Sequence, residues 1–161
     1  MDLGHHLSPH FTLGEMTITT NGRYLQENRH VPPDRLASGL ALCESLLEPI
    51  REHFGQPVFI HSGYRCAALN KAIGGSVSSQ HVKFEAADFH VGSVPFEDVW
   101  NWIWRQSGLP FGQAILEGWS AGQPSWIHLS LGQGYRAREK CGQAMTFDGR
   151  HYVHVGRASW A

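Results

Sequence analysis

Two six-residue segments, 86–91 and 126–131, alternate apolar and polar residues with a period of two. Successive side chains of a β-strand point to opposite faces, so this alternation predicts two strands that each have one buried and one polar face. The polar face of the first strand carries Asp88, and that of the second carries His128. If the two strands are neighbours, these side chains converge, and His81 in the preceding loop can reach the same point. The chain is therefore expected to fold around a sheet with a core on one side and polar chemistry on the other.

The other periodic segments predict an α+β fold with an antiparallel sheet, because one helix precedes a run of strands that a second helix interrupts. Apolar residues between positions 33 and 54 recur at spacings of four and three, which is typical of a helix. Gly55 should end this helix, and Pro49 should kink or break it. The predicted elements are, in chain order, helix 33–54, strand 58–62, a helical turn in 66–73, strand 86–91, helix 94–107 and strands 113–117, 126–131 and 152–155.

The N-terminal segment carries weaker signals. Thr12 and Glu15 have the spacing of a capping box, which predicts a helical turn after Thr12. Residues 17–33 are polar and end in two prolines, so they are predicted to form a loop.

The composition limits the classes of protein to which the chain can belong. Its 161 residues include 42% hydrophobic and 17% charged residues, which favours a single folded domain over residues 1–161 rather than disorder. The net charge of −1 disfavours a nucleic-acid partner, because nucleic-acid binders neutralise phosphates with basic residues. No apolar run approaches the ~20 residues of a spanning helix. We expect a monomer that neither spans a membrane nor binds nucleic acid.

His81, Asp88 and His128 offer two imidazoles and one carboxylate, a donor set that suits Zn²⁺ and leaves a fourth position for water. An open position is typical of catalytic rather than structural zinc sites. A buried histidine that hydrogen-bonds an aspartate would show the same His81–Asp88 spacing. From these residues alone, both interpretations stay open.

The segment from 62 to 131 also contains an ordered series of short motifs. They are Ser62-Gly63-Tyr64-Arg65, Leu69-Asn70, Gly74-Gly75, Ser79-Gln80-His81, Ala86-Ala87-Asp88 and Trp126-Ile127-His128. Together with FTLGEM at 11–16 and Glu48-Pro49-Ile50-Arg51, the series resembles the zinc D-Ala-D-Ala carboxypeptidase family. Relatives in that family include D,D-dipeptidases and phage endolysin L-alanyl-D-glutamate peptidases. The resemblance covers roughly residues 11 to 131, and residues 132–161 are expected to extend the same domain.

This resemblance implies a fold and a set of roles. The fold is the one shared with the Hedgehog amino-terminal domain, an α+β fold in which a small antiparallel sheet with flanking helices carries the metal on its open face. His81, Asp88 and His128 become the zinc ligands. Arg65 becomes the side chain that holds a substrate carbonyl or carboxylate, a task suited to a planar, bidentate cation. The neighbours Ser79-Gln80 line the site by position and are candidates to hydrogen-bond the peptide.

The general base is the part of the pattern in which this chain departs from the better-known members. Those members carry an acid three residues before the last histidine ligand, where this chain has Ser125. Short members carry Q-x-I-x-E in the preceding strand, which matches residues 113–117 and makes Glu117 the expected base. This strand should pair as a hairpin with 126–131. Glu85 is the competing candidate.

Phe84 stands where the family has glycine in H-x-x-G-x-A-x-D. If the position requires positive φ, phenylalanine costs about 1–2 kcal/mol there. Alternatively, the backbone is ordinary and Phe84 forms a wall of the substrate groove.

The resulting hypothesis is a zinc-dependent hydrolase of peptide bonds in peptidoglycan stem peptides, of the D,D-carboxypeptidase or the endopeptidase and endolysin type. The alternative is a catalytically silent, zinc-stabilised binding module or a structural module of a phage tail. The first residues of the chain lack the basic and then apolar pattern of a signal peptide. We therefore expect synthesis in the cytoplasm without a signal peptide, and action on the cell wall after release or as part of a phage particle.

Overall fold

The computed structural model describes residues 2–161 and combines helices with two sheets. The helices are α1 (Leu13–Met16), α2 (Leu25–Asn28), α3 (Pro33–Leu42), α4 (Glu48–Phe54), α5 (Ala67–Ala72) and α6 (Phe96–Arg105). The strands are β1 (His6–Ser8), β2 (Phe11–Thr12), β3 (Val58–Ser62), β4 (Ala86–Val91), β5 (Phe111–Glu117), β6 (Trp126–Leu131), β7 (Gln143–Phe147) and β8 (Tyr152–Arg157). Within this described part, no helix has the length and apolar character needed to cross a bilayer.

The main sheet has six strands in the order β3-β4-β6-β5-β7-β8, and β1 and β2 form a separate pair. The α+β class is confirmed, but the main sheet is larger than expected and is mixed rather than wholly antiparallel. The cause is β7, which the sequence did not predict. The chain leaves β6, passes β5 and returns beside it, so that β7 pairs parallel to β5. The other five strand pairs, including β1 with β2, are antiparallel.

The register of the central strands agrees with the prediction. Asp88 on β4 lies directly opposite His128 on β6, as expected for neighbouring strands. The predicted hairpin of β5 and β6 also forms, with Glu117 opposite Trp126. Helices α3 and α6 pack against the apolar face of this sheet, where Phe89 and the apolar side chains of β6 are buried. The polar face is left open.

The long helix predicted for 33–54 is interrupted. Residues Cys43–Leu47 form a π-helical turn between α3 and α4, just before Pro49. Proline lacks an N–H group and cannot complete the regular ladder, so the widened turn accommodates it. The wider turn also puts α3 out of phase with α4. As a result Leu40 of α3, which the periodicity placed in the core, is 41% exposed. Gly55 ends α4 with φ at 59°, as predicted.

The predicted loop at 17–33 contains a 3₁₀ turn (Gly22–Tyr24) and the helix α2, which are too short to show periodicity. Asn28 at the end of α2 is fully buried, and its side chain is fully used. Its Nδ2 donates to the carbonyl oxygens of Thr17 and Tyr64, and its Oδ1 accepts from the backbone N–H of Cys66. Asn28 therefore fixes the loop that carries Arg65. The capping box between Thr12 and Glu15 is confirmed.

Phe84 adopts φ of 60°, so its position does require the left-handed conformation that glycine favours. The alternative, a wall of the substrate groove, is wrong because the ring is fully buried. The ring contacts Tyr64 and fills the space beside Gly39 of α3, where an added Cβ would overlap it. Burial of the ring, which contributes up to about 3 kcal/mol, offsets a backbone cost of about 1–2 kcal/mol.

This packing predicts that Gly39→Ala destabilises the protein by about 1–3 kcal/mol, because the new methyl group overlaps the Phe84 ring. An unconstrained helix would instead gain about 0.5–1 kcal/mol from the same change. Chemical denaturation measures the difference. In a Phe84→Ala background, which keeps the backbone strain but removes the ring, Gly39→Ala should be neutral or stabilising. Stabilisation by Gly39→Ala in the parent protein would contradict the packing.

Candidate metal centre

The structure brings His81, Asp88 and His128 together on the open face of the sheet, and all three side chains are buried. Their Nε2, Oδ1 and Nδ1 atoms lie within 4.8 Å of one another. Asp88 Oδ1 is 2.9 Å from His128 Nδ1 and 3.2 Å from His81 Nε2. The two imidazole nitrogens are 3.2 Å apart. The cluster forms because β4 and β6 place Asp88 opposite His128 while the loop before β4 turns His81 over them.

The far nitrogen of each imidazole faces an oxygen acceptor. His81 Nδ1 is 2.7 Å from the carbonyl oxygen of Gly63. His128 Nε2 is 3.1 Å from Oε1 of Gln80. A carbonyl oxygen can only accept, so these nitrogens donate, and the neutral tautomer of each ring turns its other, unprotonated nitrogen toward Asp88. Such partners behind metal-binding histidines fix the tautomer and the ring orientation.

The donor set therefore suits a cation. In these tautomers three lone-pair atoms converge on one point, an arrangement that a bound cation stabilises and that a buried His–Asp hydrogen bond does not produce. The separations of 2.9–3.2 Å approach the roughly 3.3 Å edge of a tetrahedron built from zinc bonds of about 2.0–2.1 Å. Zn²⁺ fits two imidazoles and one carboxylate.

The pKa values agree with this donor chemistry. Burial lowers the pKa of His81, which favours the neutral imidazole that binds metals. Burial alone would raise the pKa of Asp88, but the neighbouring His81 and then His128 lower it well below its usual range. Asp88 is therefore a carboxylate, the form in which it can be a ligand.

Arg65 completes the surroundings of Asp88. Its Nη2 donates to Asp88 Oδ2 at 2.5 Å, and its Nε donates to the hydroxyl oxygen of Ser62 at 2.8 Å. Its backbone N–H donates to the carbonyl oxygen of His81. The two oxygens of Asp88 are thus divided, with one facing the imidazoles and the other the guanidinium. Sequence reasoning placed Arg65 near the metal but missed this ion pair.

A cavity of about 790 Å³ lies over the cluster, and Glu117 lines it together with Ser79 and Gln80. Glu117 Oε2 accepts a hydrogen bond from Trp126 Nε1 at 3.1 Å. Burial raises the pKa of Glu117, and His128 lowers it in part. Glu85, the competing candidate, is absent from the cavity lining of residues 2–161.

Three features of the site were not expected from the sequence. Gln80 lines the cavity, as expected, and its Oε1 also accepts a hydrogen bond from His128, which the sequence did not predict. Gly63 contributes a carbonyl oxygen, which a side-chain motif does not reveal. The pair Phe147 and Tyr152 lines the far end of the cavity from β7 and β8. The alternation at 152–155 predicted an edge strand but not that this strand reaches the site.

Comparison with known protein families identifies a match over most of this chain. The sequence model of a family described as Peptidase M15 matches residues 9–130, which is most of the chain. No curated protein matches the sequence. The matched segment contains all three residues of the cluster together with Arg65 and Glu117, whereas β7 and β8 lie outside it.

We expect one zinc ion per chain, and its loss in His81→Ala and His128→Ala, because each change removes one of the three donor atoms. Metal analysis after dialysis gives the stoichiometry. His90→Ala is the matched control, since His90 lies on β4 near Asp88 but bonds His61 rather than the cluster. Full zinc retention in both cluster variants would refute the assignment.

Proposed function

This chain belongs to the peptidase M15 family, and on that premise we propose that it hydrolyses peptide bonds in peptidoglycan stem peptides with bound zinc. The family supports a metallopeptidase, and the peptidoglycan substrate is the further step of the proposal. The observation that carries it is the position of Glu117 in the same cavity as the buried cluster of His81, Asp88 and His128. A metal site that served only stability would not need a cavity with a partly buried carboxylate beside it.

His81, Asp88 and His128 would hold the zinc ion. When bound, zinc supplies a Lewis acid that acidifies water and polarises a carbonyl group. The Gly63 and Gln80 oxygens keep the ligating nitrogens unprotonated and aimed, while Arg65 holds the second oxygen of Asp88. The site is thereby organised before the substrate arrives.

Glu117 is the proposed general base. Its carboxylate accepts a proton from the attacking water and delivers it to the nitrogen of the leaving amine. Burial raises its pKa, which makes it a stronger base than an exposed glutamate. Trp126 donates one hydrogen bond to Oε2 and holds the side chain toward the cavity.

Arg65 is proposed to donate to the carbonyl oxygen of the scissile bond, on which negative charge develops. Its guanidinium lines the cavity and uses Nε and Nη2 for Ser62 and Asp88, which leaves Nη1 for the substrate. Ser79, in the Gly/Ser-rich loop on the same wall, is proposed to hydrogen-bond the peptide backbone.

The site favours an enzyme over the silent binding module. A structural zinc site is usually closed by four protein ligands, whereas this cluster contributes three and opens to a cavity. We further propose that the fold is the one shared by DD-peptidases and the Hedgehog amino-terminal domain, supported by the cluster on the open sheet face. The proposed place of action is the cell wall, after release or on a phage particle.

The direct test is digestion of purified peptidoglycan by the zinc-loaded protein, with mass analysis of the soluble fragments. New amino termini within the stem peptides, lost on chelation and restored by zinc, are the expected result. Fragments that differ only in the glycan, or no fragments at all, would count against the proposal.

Glu117→Gln should keep zinc and melting temperature but lower kcat by about 100-fold or more, because an amide cannot accept the proton. Glu85→Gln is the matched control and should retain parental activity, since Glu85 does not line the cavity. The base is misassigned if Glu85→Gln is inactive and Glu117→Gln is not.

Arg65→Lys should lower kcat/KM by about 30- to 1,000-fold, because removal of one aligned donor from a preorganised site costs about 2–4 kcal/mol. Lysine keeps the charge opposite Asp88 but not the planar fork. Zinc content and melting temperature should stay close to those of the parent. Parental activity in Arg65→Lys, or simple unfolding, would defeat the assigned role.

A further inference from the structure

The cavity over the metal cluster is also lined by Arg136, which lies in the loop between β6 and β7. Its backbone N–H donates to the carbonyl oxygen of Gly132 at 2.9 Å. Its side chain crosses Gly112, where an added Cβ would come within 2.8 Å of its Cδ, and its Nη1 donates to Oε1 of Gln113 at 2.7 Å. Both the backbone and the side chain of Arg136 are therefore held in place. The residue follows the segment that matches the family, so that match does not assign it a role.

Arg136 has no carboxylate of its own to pair with. Arg65, the other arginine that lines the cavity, is paired with Asp88, whereas none of the ion pairs in the described part of the chain includes Arg136. Burial lowers the pKa of the Arg136 guanidinium, and Cys141 and Glu85 offset this effect only in part. A half-buried cation that has lost part of its water without gaining a counter-ion is stabilised when an anion binds to it.

The guanidinium of Arg136 also has donors to spare. A guanidinium carries five N–H groups in a rigid fork, and the fork matches the two oxygens of a carboxylate. Nη1 is used for Gln113, while within the described part of the chain Nε and Nη2 have no hydrogen-bond acceptor. Arg136 can therefore bind a carboxylate in the cavity and keep its contact with β5.

The position of Gln113 along β5 shows how far this cation is from the reacting bond. Ile115 lies opposite His128, level with the metal cluster. Gln113 and Glu117 share the face of Ile115 and lie two residues to either side of it, about 7 Å along the strand. Each residue of an extended peptide spans about 3.3–3.6 Å. A substrate group that reaches Arg136 therefore belongs to a residue one or two positions away from the scissile bond.

The two cavity arginines serve different parts of the substrate. Arg65 is assigned to the carbonyl oxygen of the scissile bond and reaches it from the β3 side, whereas Arg136 lies on β5, with β4 and β6 between those strands. We propose that Arg136 is a specificity-determining residue that binds a substrate carboxylate one or two residues away from the scissile bond. This inference rests on the proposed function for its choice of substrate.

Stem peptides offer two carboxylates of this kind. One is the α-carboxyl group of D-Glu, which its γ-linkage leaves free. The other is the second carboxyl group of meso-diaminopimelate, where that residue takes the place of L-Lys. Both present the same chemistry to a guanidinium, and the experiment distinguishes them.

The test uses the pentapeptide L-Ala–γ-D-Glu–L-Lys–D-Ala–D-Ala and its counterpart with meso-diaminopimelate, with each of the two carboxyl groups either free or amidated. Calorimetry with zinc-loaded Glu117→Gln protein measures affinity without turnover. For at least one of the two groups, we expect the free acid to bind at least about tenfold more tightly than the amide, because the amide loses a charge-assisted hydrogen bond. Equal affinity of acid and amide at both positions overturns the inference.

Variants made in the same background locate the preference. Arg136→Gln should reduce it to less than about threefold, and Arg136→Lys should retain part of it because the charge remains. Arg138→Gln is the matched control, since Arg138 is exposed, lies two residues away and does not line the cavity, yet its loss changes the net charge equally. A parental preference in Arg136→Gln, or an equal loss in Arg138→Gln, overturns the role of Arg136. Should Arg136→Gln fail to fold, the unaltered protein and Arg136→Lys still decide.

Hydrolysis by the parent protein separates this inference from the proposed function. Where acid and amide peptides are cut with equal kcat/KM, the proposed function holds and the carboxylate site is refuted. Where binding prefers the acid through Arg136 but no peptide and no peptidoglycan is cut, the carboxylate site holds and the proposed function has failed. Absence of both binding and cleavage overturns both.

Discussion

The functional side of the molecule depends on one carboxylate, Asp88, and on the two imidazoles and one guanidinium that surround it. Asp88 is buried and faces two imidazole nitrogens through one oxygen and a guanidinium through the other. A buried carboxylate is costly unless its lone pairs are used, and here each partner is itself held by a further group. Gly63 and Gln80 orient the imidazoles, and Asn28 fixes the loop of Arg65. The side chains of the site are therefore held in place by a network of hydrogen bonds that is centred on Asp88.

The sequence predicted the part of this arrangement that a period of two can encode. Alternation in 86–91 and 126–131 placed Asp88 and His128 on one face, and the register confirmed that they are opposite each other. Glycine and proline signals gave the end of α4 and the disturbance near Pro49. Those local features follow from the chemistry of single residues, so they can be predicted from the sequence alone.

The rest depends on contacts between distant residues. β7 pairs with β5, which lies about 30 residues earlier in the sequence. The residues of β7 do not alternate clearly between apolar and polar, so the sequence did not predict this strand. The π-helical turn after Leu42 puts α3 and α4 out of phase with each other, so one regular spacing over 33–54 could not describe the buried faces of both helices. Phe84 departs from the glycine expected at a left-handed position, and the reason lies in Gly39, which is far away in the chain. A short window of sequence does not contain both partners of such a pair, so the contact between them cannot be predicted from it.

The order of the strands divides the main sheet into two parts, the four strands around the metal cluster and the hairpin of β7 and β8. Strands β3, β4, β6 and β5 are complete by residue 131 and already contain the metal cluster and the proposed base. The hairpin of β7 and β8 attaches to one edge of that unit, and its residues make none of the hydrogen bonds that hold the cluster. Changes in the hairpin can therefore accumulate without loss of the metal. Evolution can therefore replace the hairpin of β7 and β8, and with it one wall of the cavity, while the metal cluster and the proposed base stay the same.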